Sequence, residues 1–280
     1  MMTPFIDRLA TRLEQWLPAP LPVFEKPKYL NAASIEFADA AIEAARMETV
    51  RLYDKALELI VHGVGLRRRD VFGDRPLEEI EGESFEFEDR LQERYEVSIK
   101  AIYGAILEFI SRAQEGMGSA ESEQIFAIRM AGRDLIEAIK GVLHLQKNMR
   151  SHIQSDNPDI RAAYAEIRRR IGTVLREIDT VRRSEEDPLA ILSLNAAKVI
   201  AKEQDVLANG KLDELVRGHR ITAAEATSLI NDNGYAYGVC KNLIELGKVL
   251  FAEHDEESKD AERSLTLDED EIDMMTGDRF

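Results

Sequence analysis

Acidic side chains are the first candidates for chemistry. In MAGRDLIEAIKG, Met130 to Gly141, Asp134 and Glu137 stand one helical turn apart in a stretch whose apolar residues repeat at helical spacing. Two carboxylates on one helix face are the oxygen donors a hard cation wants. Arg133 and Lys140 lie within helical reach of Glu137, however, and an ion pair there makes ordinary surface charge the competing reading. The histidines, His62, His144, His152, His219 and His254, never pair at i and i+4 and none belongs to HExxH, so they read as surface or satisfied interior groups rather than zinc ligands. Cys240 sits beside Val239 and reads as a small core residue, since a nucleophile needs a histidine partner. The glycine pairs GVG and GMG lack the trailing Lys and Ser or Thr of a phosphate loop and read as turns. Tyr235 and Tyr237 flank Gly234 and Gly238, a patch that reads as packing or as a contact for a small ligand or partner.

The elements that must position these residues are helical. Of 280 residues, 44% are hydrophobic and 32% charged, while only 6% are aromatic and Gly and Pro number 16 and 8. That profile belongs to long amphipathic helices. A formal charge of -16 repels phosphate backbones and argues against nucleic acid as a partner. The short basic clusters, Arg67 to Arg69, Arg168 to Arg170 and Arg182 with Arg183, read as solvated helix faces, with an anionic lipid or phosphate site as the minor alternative. A lone cysteine forbids an intramolecular disulfide and agrees with a reducing compartment. No apolar run reaches the ~18 residues of a membrane span, and the N-terminus lacks signal-peptide features, so the chain is expected to be soluble.

Along the chain, Phe5, Ile6, Leu9, Leu13, Trp16 and Leu17 share one face of a short helix stopped by the prolines at 18, 20 and 22. That face either docks on the core or lies on a membrane surface through Phe5, Leu9, Leu13 and Trp16. A seam of Ile35, Ala38, Ile42, Ala45, Thr49, Leu52, Ala56 and Leu59 predicts a long first helix, capped by Asn31 and ended by Gly63. A second helix is predicted over 77–110, with Leu91, Tyr95, Ile99, Ile102, Ile106 and Phe109 facing the core. A third is predicted over 121–150, with Ile125, Ile128, Gly132, Leu135, Ile139, Val142 and Met149 on one stripe.

The pattern then restarts. Asn157–Pro158 opens a fourth helix along Ile160, Ala163, Ile167, Ile171, Val174, Ile178 and Val181. Asp187–Pro188 opens a fifth, interrupted near Asn209 and Gly210, and a Thr222/Glu225 capping box opens a sixth that buries Leu229, Ala236, Leu243 and Leu250. The expectation is an all-α, elongated antiparallel bundle of two three-helix repeats. Its parts are an amphipathic helix and Pro-rich linker (1–30), a first repeat (31–150), a second repeat (156–254) and an acidic disordered tail (255–280).

This organisation resembles the PhoU family, and more closely the cytoplasmic PhoU-like region of bacterial sodium/phosphate cotransporters. The carrying stretches are PKYLNAASIEFADAAIEAARMETVRLYDKALELI, EDRLQERYEVSIKAIYGAILEF and FAIRMAGRDLIEAIKGVLHLQKNM, together with the opening TPFIDRLATRLEQWLPAP. They cover residues 1–150; the second half matches by helix plan. The resemblance implies a regulatory, non-catalytic module without cofactor on the cytoplasmic side of the inner membrane. Its partner would be the membrane domain of a sodium/phosphate transporter in the same or another chain, and a homodimer stays open. The alternative it implies is a free-standing, metal-binding PhoU-type regulator of phosphate signalling. Family members place acid-x-x-x-acid pairs on facing helices as metal ligands. Asp89 and Glu93 fit that spacing here, but the corresponding positions in the third helix fall on Ile136 and Lys140, and the second half offers only Glu203, Asp205 and Asp232. Asp89, Glu93, Asp134 and Glu137 therefore remain weak candidates, and no metal site is expected. A carboxylate-bundle enzyme is disfavoured because Glu-x-x-His pairs are lacking.

Overall fold

The computed structural model describes residues 25–80, 87–184, 189–204 and 210–252. The amphipathic segment at 5–17, the Asp187–Pro188 start, Asp205, Asn209, His254 and the acidic tail lie outside the described residues. Within them the regular structure is entirely helical, and no helix is long and apolar enough to cross a membrane. Six main helices carry the fold: α1 (Ala38–Gly63), α2 (residues 91–113), α3 (Ser119–His152), α4 (Pro158–Arg183), α5 (Ala190–Glu203) and α6 (Ala223–Gly247, continued by a π turn, Lys248–Ala252).

The apolar stripes account for which faces turn inward. Ala45, Leu52, Ala56 and Leu59 of α1 are buried with Thr49, whose hydroxyl donates to the Ala45 carbonyl, while Ile35 and Ile42 are only partly covered. Every core position expected on α2, α3, α4 and α6 is buried. Each fully buried Leu or Ile removes enough apolar surface from water to contribute roughly 1.5–3 kcal/mol. One contiguous core runs from Ala41 to Leu250. Helices α1, α2 and α3 pack on one another, as do α4, α5 and α6, and the broadest contact joins α3 to α6. That contact depends on Gly141: a methyl group there would stand 2.6 Å from Val239 Cγ2, so only a bare backbone lets the two rods meet.

The helix ends follow local chemistry. Asn157 Oδ1 accepts from the Asp159 amide ahead of Pro158, and Thr222 and Glu225 form the expected reciprocal box at the start of α6. Past the end of α1, Gly65 takes φ +71°, and the Leu66 amide donates back to the Val61 carbonyl, closing the helix as a left-handed cap. The interruption after α5 is real: α5 ends at Glu203, and a separate short helix, Lys211–Arg217, follows Gly210.

Three expectations need correction. Asn31 caps a 3-10 turn, Ala32–Glu36, and not α1, which begins at Ala38 behind an extended Phe37. The second helix does not start at Leu77. A 3-10 turn, Leu77–Ile80, packs on α4, while α2 starts at Leu91 and carries a π turn, Tyr95–Ile99, whose extra residue sequence periodicity does not signal. Arg168 and Arg170, expected on a solvated face, are each 2% exposed.

Candidate functional site

The four candidate acids do not converge. Asp134 is half-buried on α3, where Lys241 and Glu245 of α6 and Arg133 and Glu137 of its own helix set its field. Burial first, and the Glu245 charge second, push its carboxyl up to about 6. Glu137, one turn on, is exposed and accepts from Lys140 Nζ at 2.8 Å. Asp89 lies in the turn ahead of α2 rather than on it, paired with Arg150 Nη1 at 2.7 Å, and Glu93 is exposed in the first turn. The four-residue spacing of Asp89 and Glu93 thus does not put them on one helix face. Ile136 is buried in the core. Among the described residues, no three His, Cys, Asp or Glu side chains are grouped to hold a metal.

The acid with the most demanding environment is one that sequence reasoning passed over. Glu48 of α1 is 0% exposed. Its Oε2 accepts from the backbone amides of Lys28 and Tyr29, both at 2.7 Å, and its Oε1 accepts from Arg51 Nε, also at 2.7 Å. Arg51 in turn donates to Glu25 Oε1 and to the Lys26 carbonyl, and Lys55 Nζ stands 2.6 Å from Glu25. Burial alone would raise the Glu25 pKa; Lys55 and Arg51 outweigh it and hold it below its ordinary value. A buried carboxylate with two amides on one oxygen and a guanidinium on the other is fully satisfied. Residues 25–30 are therefore strapped along α1. The available signal was phase: Glu48 occupies the stripe of Ala41, Ala45, Leu52 and Ala56, where a charge must find buried partners.

Polar groups in the second half point inward between helices. Tyr164 Oη donates to Asp232 at 2.6 Å, with His152 tilted against the phenol ring. Burial and this bond to a carboxylate raise the Tyr164 pKa well above its usual value. Arg170 donates to the Ala201 and Gln204 carbonyls at the end of α5, and to Asn233 Oδ1 at 2.8 Å. The guanidinium thus sits where the α5 carbonyls leave partial negative charge. At the junction of α3, α5 and α6, Lys198 Nζ donates to Glu245 at 2.9 Å and Lys248 reaches it at 3.4 Å. Burial raises the Glu245 pKa, but Lys248 and Lys198 more than reverse this, so the two neighbouring acids shift in opposite directions, Glu245 down and Asp134 up.

Several of the remaining sequence candidates make ring contacts, caps or ion pairs. His144 stacks on Tyr235 with centroids 4.7 Å apart, and Lys202 lies over the Tyr237 ring. Cys240 is fully buried and its thiol is pushed up to about 11 by burial, so it stays protonated and closed to solvent at neutral pH. Of the basic clusters, Arg67 joins Asp70 in a capping box, and Arg182 pairs with Asp54 across α4 and α1. Comparison of the chain with protein-family models, with curated proteins and with solved structures returned no match in any of the three.

Proposed function

We propose that this chain is a regulatory, non-catalytic PhoU-like domain made of two three-helix units, acting on sodium-dependent phosphate transport by docking against a membrane transporter on its cytoplasmic side. The sequence resemblance over residues 1–150 motivates the reading. The observation that carries it is the Glu48 strap: residues 25–30 are bonded to α1 through a fully buried carboxylate. Whatever the preceding residues engage would then bias the bundle, because displacing the strap means breaking the Lys28 and Tyr29 amide bonds to Glu48 and the contacts of Arg51 and Lys55 with Glu25 and Lys26. The signal passes from α1 to α3 and from α3 to α6, the pairs with the widest contact.

The test is sodium-dependent phosphate uptake in the native host with the chain intact, with residues 31–254 deleted, and with Glu48→Gln. Altered uptake or altered phosphate response in the deletion, partly reproduced by Glu48→Gln, supports the reading. Identical uptake and regulation in all three overturn it.

A further inference from the structure

A cleft opens between the strap and α2. Pro27, Leu30 and Ile35 form one wall, and Ala105 and the buried Phe109 of α2 form the other, around about 170 Å³ of empty space. Sites for drug-sized molecules run to ~300–1,000 Å³, so this one admits an apolar side chain or two and little more. That is the size of an anchor. On its rim stand Glu108 and Arg112, both exposed and one helical turn apart on α2. They form no ion pair with each other or with another described residue, although Glu25, Glu48, Arg51 and Lys55 around the strap are all paired. One unpaired acid and one unpaired base thus flank an apolar slot.

The sequence ahead of the strap, outside the described residues, carries a matching pattern. Leu9, Leu13 and Trp16 recur at the i, i+4 and i+7 spacing with which a helix seats side chains in a groove, and Asp7, Arg8, Arg12 and Glu14 fall away from that face. We infer that residues 5–17 dock by their apolar face in the cleft between the strap and α2, with Trp16 as an anchor. Reach selects this occupant first. Leu17 precedes Glu25 by eight residues, a span of up to about 29 Å, and the strap that fixes Glu25 is itself a wall of the cleft. So short a tether gives a local concentration of order millimolar, which a second copy or a separate partner would have to exceed. Charge selects it next. Helices that settle on anionic lipid carry a polar face rich in Lys and Arg, whereas here Asp7 and Glu14 cancel Arg8 and Arg12. A polar face of mixed sign suits a rim of one acid and one base. This inference stands independently of any role in transport.

Trp16 is the only tryptophan in the chain, so its fluorescence reads the docking directly. In the full chain its emission is expected to be blue-shifted from that of tryptophan in water, and its quenching by acrylamide several-fold slower. Ala105→Glu puts a charge into the wall of the cleft at a partly exposed position. It should return emission and quenching to those of a solvated ring, with helicity by circular dichroism unchanged. A nitroxide attached at Arg112→Cys should quench Trp16 in the native protein and lose that effect in urea; Cys240, fully buried, takes no label. A solvated Trp16 in the wild type, or a shielded one that responds neither to Ala105→Glu nor to the nitroxide, would overturn the inference. So would shielding that appears only as protein concentration rises, which means a second copy, or only with anionic phospholipid vesicles, which means a membrane.

Discussion

Residues 38–152 and 158–252 each contribute three of the main helices but treat polar groups differently. Among the described residues of the first stretch the buried polar side chains are Glu48, Thr49 and Asp70. Two of these bind irregular chain at the edge of the bundle: Glu48 holds the Lys28 and Tyr29 amides, and Asp70 accepts from the Arg67 amide. In the second stretch Arg168, Arg170, Asn195, Lys198, Asp232, Asn233 and Lys248 are buried, and the contacts of Arg170, Lys198 and Asp232 run between helices. Both amide atoms of Asn195 lack a hydrogen-bond partner in the protein. The lesson is one of division: the first half spends its buried charge on fastening a strap, whereas the second fixes which helix faces which, at some loss of stability.

The sharpest way to break this comparison is at Glu48. Glu48→Ala strands two amides and a guanidinium, and removing one partner of a buried ionic contact destabilises by roughly 3 kcal/mol. Denaturant unfolding should show that loss, and amide exchange should accelerate at Lys28 and Tyr29 beyond the change elsewhere. A variant with unaltered exchange at those two residues would mean that Glu48 fastens nothing. The second half should respond in the opposite direction. Asn195→Leu keeps the shape while removing two unsatisfied polar atoms, and should raise stability by about 1 kcal/mol; a loss instead would show that the amide is serving an unrecognised contact.

The smallest effect sharpens the seam between the halves. Folding raises the Asp134 pKa to about 6 from 3.8, so the folded state binds this proton more tightly than the unfolded one. Stability from this group therefore rises as pH falls through that window, and the full penalty applies above about 6. Asp134→Asn should stabilise the chain at pH 8 by up to about 1 kcal/mol, allowing for solvent screening at a half-buried site, with the advantage vanishing by about pH 4. Thermal melts of both proteins across that range provide the measurement. An advantage that grew toward low pH would refute the assigned direction.

Legibility from sequence tracked how local the determining physics is. The Asn157–Pro158 start and the Thr222/Glu225 box involve residues within a turn of one another, and both occur as read. The stripes of α3 and α4 were equally plain, because an apolar residue every three or four positions has one consistent inward side. The π turn in α2 was not, since one added residue shifts the face without leaving a marker residue. Arg168 and Arg170 misled because Arg-rich runs are usually solvated; their burial depends on carbonyls from distant turns, Ile80 for one and Ala201 and Gln204 for the other. Lys140 within a turn of Glu137 was legible and does pair with it, but the Glu245 carboxylate that acts on Asp134 is more than a hundred residues away in the chain.

By itself the amino-acid order determined that this chain builds helices, where α4 and α6 begin and which faces the long stripes bury, because those outcomes depend on neighbours within a turn or two. Only the tertiary structure decided which acid matters, that residues 25–30 are strapped to α1, and that α5 turns Leu192 and Ile200 toward solvent. Each of these depends on whether a polar group, once withdrawn from water, meets a partner brought from elsewhere in the chain, and helical periodicity carries no record of that encounter.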